Sequence, residues 1–251
     1  TTATASRSNG SSTRKVTFNA TTNGGTCSTA SLNSTATITY SCTGWWTATS
    51  GGTKRAASGG SYTPSASETV YAQWSSTTGT YSQVTLPSAT KANGSSSRTV
   101  TINANGGSST VTSRTSTATI TYSCTGWFTA ASGGTKRGAV GAKYTPSAAE
   151  TLYAQFSSST GSYSAVTLPT AAQCTRSGYK LLGFATSSSA TTAAYLPGAG
   201  YTPSAAVTLY AVWELEQAQL YTKTVLPSTY QEVDYIETTG TQYINTGIAA
   251  T

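Results

Sequence analysis

The chain has 251 residues, with fourteen Lys and Arg against seven Asp and Glu, a formal net charge of +7, and neither His nor Met. Charged residues make up 8% of it, far below the roughly 25% of an ordinary globular domain, while sixteen Tyr and five Trp supply most of the large apolar surface. The lack of His excludes a histidine acid–base site or serine triad, and the balance reads as an extracellular β-protein rather than a cytosolic enzyme.

Residues 1–13 are polar and unpatterned, so a flexible lead-in is expected there. Residues 14–20 (RKVTFNA) then alternate, with Val16, Phe18 and Ala20 on one face, which predicts a half-buried strand. Asn23-Gly24-Gly25 follows as a turn. A Ser/Thr-rich arm leads to a second strand over residues 36–46 (ATITYSCTGWW). A Gly-rich loop carries Lys54 and Arg55, the Pro of YTPSA ends the next extended run, and residues 69–74 (TVYAQW) close the unit on a strand. No amphipathic helical stripe and no run of about eighteen apolar residues occurs, so no membrane-spanning helix is expected. The chain opens on Thr with no visible signal peptide, which suggests either a processed N-terminus or a fragment of a longer protein.

The same landmarks recur. Cys42 to Cys124, Tyr62 to Tyr144 and Trp74 to Phe156 each lie 82 residues apart, and Gly126 to Gly183, Tyr144 to Tyr201 and Phe156 to Trp213 each lie 57 apart. Fixed offsets over several landmarks mean one structural unit used three times. The expected organisation is a lead-in (1–13), module 1 (14–74), a linker with a short strand (75–97), module 2 (98–156), a second such linker (157–173), a shortened module 3 (174–213) and an acidic extension (214–251) that is a candidate start of a further domain. The third module lacks the VTFNANGG arm, and residues 166–169 are the candidate replacement. Charge divides along the chain: residues 1–213 hold thirteen of the fourteen cations and two acidic residues, and residues 214–251 hold one cation and five acidic residues. A basic shaft with an acidic end suits either head-to-tail docking, binding of anionic envelope polymers, or plain solubility.

The order VTF-N-A-NGG, a GW strand, GG-T-K, then YTPSA-TLYA-W resembles the internalin B-type repeat, also called the Listeria–Bacteroides repeat, of secreted and surface proteins of bacteria and phages. The resemblance covers residues 14–213. It implies a mainly β fold of tandem small β-grasp-like repeat modules forming an elongated stalk, without catalysis. Cys42 and Cys124 stand where the family usually has an aromatic. Residues 226–247 resemble a segment that precedes or opens a concanavalin-like jelly roll.

Several side chains carry a functional reading beside a plainer one. Lys54, Arg55, Lys136 and Arg137 on the Gly-rich loops are candidates for binding polyanions such as teichoic acid, or are solvated loop charge. Trp45, Trp46, Trp127 and Phe128 form pairs facing opposite ways on a strand; one of each pair is expected in the core, the other in glycan stacking or inter-module packing. Cys27 and Cys42 are a candidate disulfide, or small buried hydrophobes. Glu68 and Glu150 fall in separate modules, whereas glycosidase carboxyls lie within about 5–10 Å of each other. Glu232, Asp234 and Glu237 cluster without other site features. No cysteine pair has metal-ligand spacing.

The expectation is therefore a non-catalytic structural and adhesive extracellular stalk or fibre without a cofactor. The favoured setting is a phage virion fibre or appendage attaching to the host envelope; the alternatives are a bacterial cell-surface adhesin and a carbohydrate-binding module. Expected partners are further copies of the chain, other surface or virion proteins, and envelope polysaccharide or teichoic acid, with no nucleic acid.

Overall fold

The computed structural model describes residues 1–216; the candidates Glu232, Asp234 and Glu237 and most of the acidic extension lie outside the described residues. The protein is mainly β. Eight strands of seven or more residues carry the described part: β1 (Gly10–Asn19), β2 (Ser31–Trp46), β3 (Tyr71–Thr78), β4 (Gly94–Asn103), β5 (Ser113–Phe128), β6 (Glu150–Thr160), β7 (Tyr179–Ala185) and β8 (Val207–Leu215). Among the described residues the only helical turn is Thr21–Asn23.

The chain divides into two compact units. The first comprises Thr1–Thr101, Ser113–Leu168 and Gly200–Thr208, and the second Ile102–Thr112, Pro169–Ala199 and the chain from Leu209.

In the first unit β2 serves two partners in turn. Its first half pairs antiparallel with β1, Gly10 against Ile38 through Thr17 against Ser31. Its second half pairs antiparallel with β3, Ile38 against Thr78 through Trp46 against Tyr71. β5 repeats the arrangement with β4 and then β6. The two sets are laced together by a parallel ladder, Val16–Asn19 of β1 against Glu150–Tyr153 of β6. The arm of the first copy thus completes the body of the second.

Packing follows that pairing. Val16, Phe18 and Ala20 from the first copy are buried with Trp127, Leu152 and Ala154 from the second and with Val84, Leu86 and Ala89 from the segment between them. The Phe18 and Trp127 rings meet edge-to-face, centroids 5.0 Å apart, a geometry that aromatic quadrupoles favour. The alternation read at residues 14–20 is the cause: a strand with period two places Val16 and Phe18 on the same face.

Three sequence expectations change here. The stretch 14–74 does not close on itself, because the strand that β1 joins belongs to the next copy. Residues 1–13 make specific contacts: β1 begins at Gly10, and the Thr2 amide donates to the Gly60 carbonyl at 2.7 Å. The short strands expected in the linkers are present, Val84–Thr85 pairing with Lys143–Tyr144 and Val166–Thr167 with Gly200–Tyr201, but they lie against the bodies, with Leu86 and Leu168 each 1% exposed.

The second unit is built on the β7–β8 hairpin, Tyr179 against Leu215 through Ala185 against Tyr210. Cys174–Thr175 pair with Ser108–Ser109 of the second copy's arm. The arm that the third copy lacks in sequence therefore comes from residues 102–112, and residues 166–169 do not replace it.

Both long strands bulge at the Gly of GW, between Cys42 and Gly44 and between Cys124 and Gly126. Gly126 has φ +136, and a Cβ there would lie 2.5 Å from the Gly138 carbonyl oxygen. A bulge re-aims the side chains that follow it, and it turns Trp127 inward, 0% exposed, while Phe128 stays half-buried.

Candidate functional site

The Gly-rich loops hold their arginines in place. Arg137 Nε lies 3.2 Å from Glu150 Oε2, and Tyr144 donates its hydroxyl to the other oxygen of the same carboxylate. Arg55, Glu68 and Tyr62 repeat this set, with Arg55 Nη2 3.0 Å from Glu68 Oε2. Burial, then the hydrogen bond to Glu150 and its negative charge, push Tyr144 up to about 12 against the opposing pull of Arg137. That phenol stays protonated and serves as a donor. Glu68 and Glu150 each give a loop arginine a carboxylate partner, Arg55 and Arg137 respectively. The exposed Lys54 and Lys136 remain, and Lys136 Nζ sits 6.0 Å from the Phe128 ring centroid.

Other cations stack on tyrosines. Arg14 lies over Tyr81 and Arg98 over Tyr163, each 3.5 Å from the ring centroid, while Arg7 lies over Tyr40 at 3.8 Å and Lys91 over Tyr122 at 4.4 Å. Such contacts contribute roughly 0.5–1 kcal/mol where exposed. Arg14 also donates to the Pro146 carbonyl at 2.7 Å, and Arg98 to that of Pro203 at 2.7 Å. Sequence reading saw these basic residues as charge; their periodic tyrosine partners in YSQVTLP and YSAVTLP were the signal that they pack.

The aromatic pairs separate by copy. Trp127 is fully buried and its Nε1 donates to the Pro87 carbonyl at 2.9 Å, so it presents no ring face to a sugar. Trp45 is half-buried, with Nε1 donating to the Ala3 carbonyl at 2.9 Å. Trp46 and Phe128 are half-buried.

The candidate Cys27–Cys42 disulfide is not formed, and all four cysteines are free. Cys27 stands opposite Ala89 and packs against the Trp127 core, whereas Cys42 stands opposite Trp74. Cys27 Sγ lies 3.2 Å from the Thr29 carbonyl oxygen, and Ser109 at the matching place donates to the Val111 carbonyl at 2.8 Å. A small donor is what the position uses. Burial pushes the Cys174 thiol up. Among the described residues no group of His, Cys, Asp or Glu is arranged to hold a metal ion, and no helix is long and apolar enough to cross a membrane.

The feature that sequence reading missed is the seat each arm occupies. Asn23 Nδ2 donates to the Ala131 and Ala154 carbonyls, both at 2.8 Å. In the second unit Asn105 Nδ2 does the same to Ser188 at 2.9 Å and Ala211 at 3.1 Å. A Cβ on Gly25 would lie 2.5 Å from the Phe156 ring, and one on Gly107 2.6 Å from the Trp213 ring. Asn-Gly-Gly is therefore a docking element: its amide clamps two carbonyls and its last Gly lets backbone lie on the closing aromatic.

These structural repeats agree with the family comparison. The Listeria-Bacteroides repeat domain matches residues 90–155 and 157–212. It is a domain typical of extracellular and surface proteins. No curated protein and no solved structure matches the chain.

Proposed function

We propose that this chain is a non-catalytic structural and adhesive segment of an extracellular fibre, carried by a phage virion as an appendage that attaches to the host envelope. The observation behind the fibre reading is the lacing of β1 into β6. Successive repeats share a ladder instead of hanging on a flexible tether, so a pull along the chain loads many backbone hydrogen bonds together. Repeat arrays gain stability from such neighbour interfaces, since a unit of this size buries too little apolar surface alone. Conversion of the loop arginines and Glu68 and Glu150 to structural ties supports a scaffold rather than a catalyst. The virion setting rests on the resemblance of residues 226–247 to a jelly-roll lead-in. Self-association, other virion proteins and envelope polysaccharide are the partners this role calls for.

Immunogold electron microscopy with an antibody against residues 98–156, on phage particles and on intact bacterial cells, tests the reading. Label on particle appendages is the expected result. Label along the cell wall would replace the virion fibre with a surface adhesin of the same construction.

A further inference from the structure

The described residues hold three bodies and two arms. Residues 10–27 dock on the body that contains Trp127 and Phe156. Residues 102–112 dock on the body that contains Trp213. The body of the first copy, which contains Trp45 and Trp74, has no arm among the described residues.

The difference is visible at matched positions. Leu152 and Ala154 are 0% exposed, whereas their counterparts Val70 and Ala72 are half-buried. Pro146, whose carbonyl receives Arg14, is buried; its counterpart Pro64 is exposed. Tyr71 is 39% exposed, and Tyr153 is half-buried. β6 begins at Glu150, where it meets β1, but β3 begins only at Tyr71, three residues later in the repeat. Residues 68–70 thus lack the ladder that makes their counterparts a strand.

We propose that this body is a receiving seat for a β-arm carried by a further repeat of the same kind. The arm would add in parallel along residues 68–71, as Val16–Asn19 add along Glu150–Tyr153. Strand addition to a sheet edge draws affinity from backbone hydrogen bonds and specificity from alternate side chains. The seated arm of the first copy defines those side chains, Val-x-Phe, then Asn, Ala and an Asn-Gly-Gly turn, and the second copy carries Val-x-Ile before the same Asn, Ala and turn in sequence. Phe or Ile at the third place would cover Val70 and the Trp45 ring. The Asn side chain would reach the carbonyls of Ala72 and Thr49, the counterparts of Ala154 and Ala131. The last Gly would lie on Trp74. Trp74 also brings an indole N–H, and the matching Trp213 donates its own to the arm carbonyl of Ala104 at 2.9 Å. A second molecule of this chain is not the source, because both arms among its described residues are seated in its own bodies. The inference goes beyond the fibre reading and does not depend on which surface bears the chain.

The probe is a synthetic peptide of residues 10–38 with Cys27→Ser, added to the full 251-residue chain. We expect one saturable site, slowed amide exchange over residues 68–71 and a blue shift of tryptophan emission as Trp45 is covered. A peptide with Gly25→Val should bind at least about tenfold more weakly, because its side chain would meet Trp74, and one with Phe18→Asp should not protect residues 68–71. The chain variant Val70→Lys, checked for fold by circular dichroism, should lose the site. Unchanged exchange at residues 68–71 at saturating peptide would overturn the proposal, as would equal protection by the Gly25→Val peptide. Concentration-dependent dimerisation of the chain alone, with residues 68–71 protected, would overturn the further repeat as source in favour of arm exchange between copies.

Discussion

The bodies of the first and second copies are close in sequence and far apart in burial. GWWTATSGGTKRAASGGSYTPSASETVYAQW and GWFTAASGGTKRGAVGAKYTPSAAETLYAQF share four glycine positions, the same Tyr and Glu, and the same Lys-Arg pair. Each makes the same loop bonds: Gln73 Nε2 donates to Ala48 and Gly51 as Gln155 Nε2 donates to Ala130 and Gly133. Yet Trp127 is sealed in a core and Trp45 is half-buried. What separates them is chain from outside the body: the arm of the first copy and Val84, Leu86 and Ala89 of the segment between the copies pack in the core that holds Trp127.

The largest test of that contrast is truncation of the matched tryptophans. Trp127→Ala removes a fully enclosed ring that Phe18 abuts, and should cost about 3–5 kcal/mol. Trp45→Ala removes a half-buried ring with no such neighbour and should cost no more than half as much. Denaturant unfolding followed by far-ultraviolet circular dichroism measures both. Equal losses would mean that the arm contributes little to the second body.

A smaller effect is expected from Gly25→Val. Its Cβ would collide with the Phe156 ring and lie 2.8 Å from the Thr90 carbonyl oxygen. Forcing extra carbon into a packed contact typically costs about 1–3 kcal/mol. The loss should make the second body resemble the first, with faster amide exchange at residues 150–153 and little change at residues 71–74. Uniform loss across both bodies would show that the Gly serves the whole unit rather than the docked arm.

Much of this architecture was legible in the chain. The alternation in RKVTFNA predicts which residues of β1 face inward, and the 82-residue offset identifies the equivalent bodies. The pairing of arm to body was not legible. Val16 and Glu150 are parallel partners separated by more than a hundred residues, and a parallel ladder leaves no turn signature between its strands. Contiguity suggested that an arm belongs to the body following it directly. That placed the deficit in the third copy, whereas the first body is the one without an arm among the described residues. Two Asn-Gly-Gly turns for three GW or GF bodies was the available clue. Of the two readings of Cys27, the disulfide is absent for a related reason: its partner strand is residues 89–90, not the strand of Cys42. The loop arginines were equally opaque, since Glu68 and Glu150 lie thirteen residues beyond Arg55 and Arg137 and meet them only through the fold.

The finest prediction concerns Tyr144, whose environment depends on the completed second body. Burial is the main cause of its raised value, from 10.0 to about 12, with the Glu150 hydrogen bond next. The folded state therefore holds the phenol's proton more tightly than the unfolded chain does. The resulting stabilisation is fully present below pH 10 and is lost as pH rises through 12. In alkaline titration the absorbance of the wild-type chain minus that of Tyr144→Phe should give a single phenolate with a midpoint near 12. The Tyr144→Phe chain should also lose stability less steeply between pH 10 and 12. If Gly25→Val loosens the arm as argued, the same difference titration in that background should move toward 10, because water then reaches the ring and the carboxylate behind it. A midpoint that stays near 12 in the Gly25→Val chain would mean that the loop pocket forms without the arm, and that the arm completes only the strand edge of the body it joins.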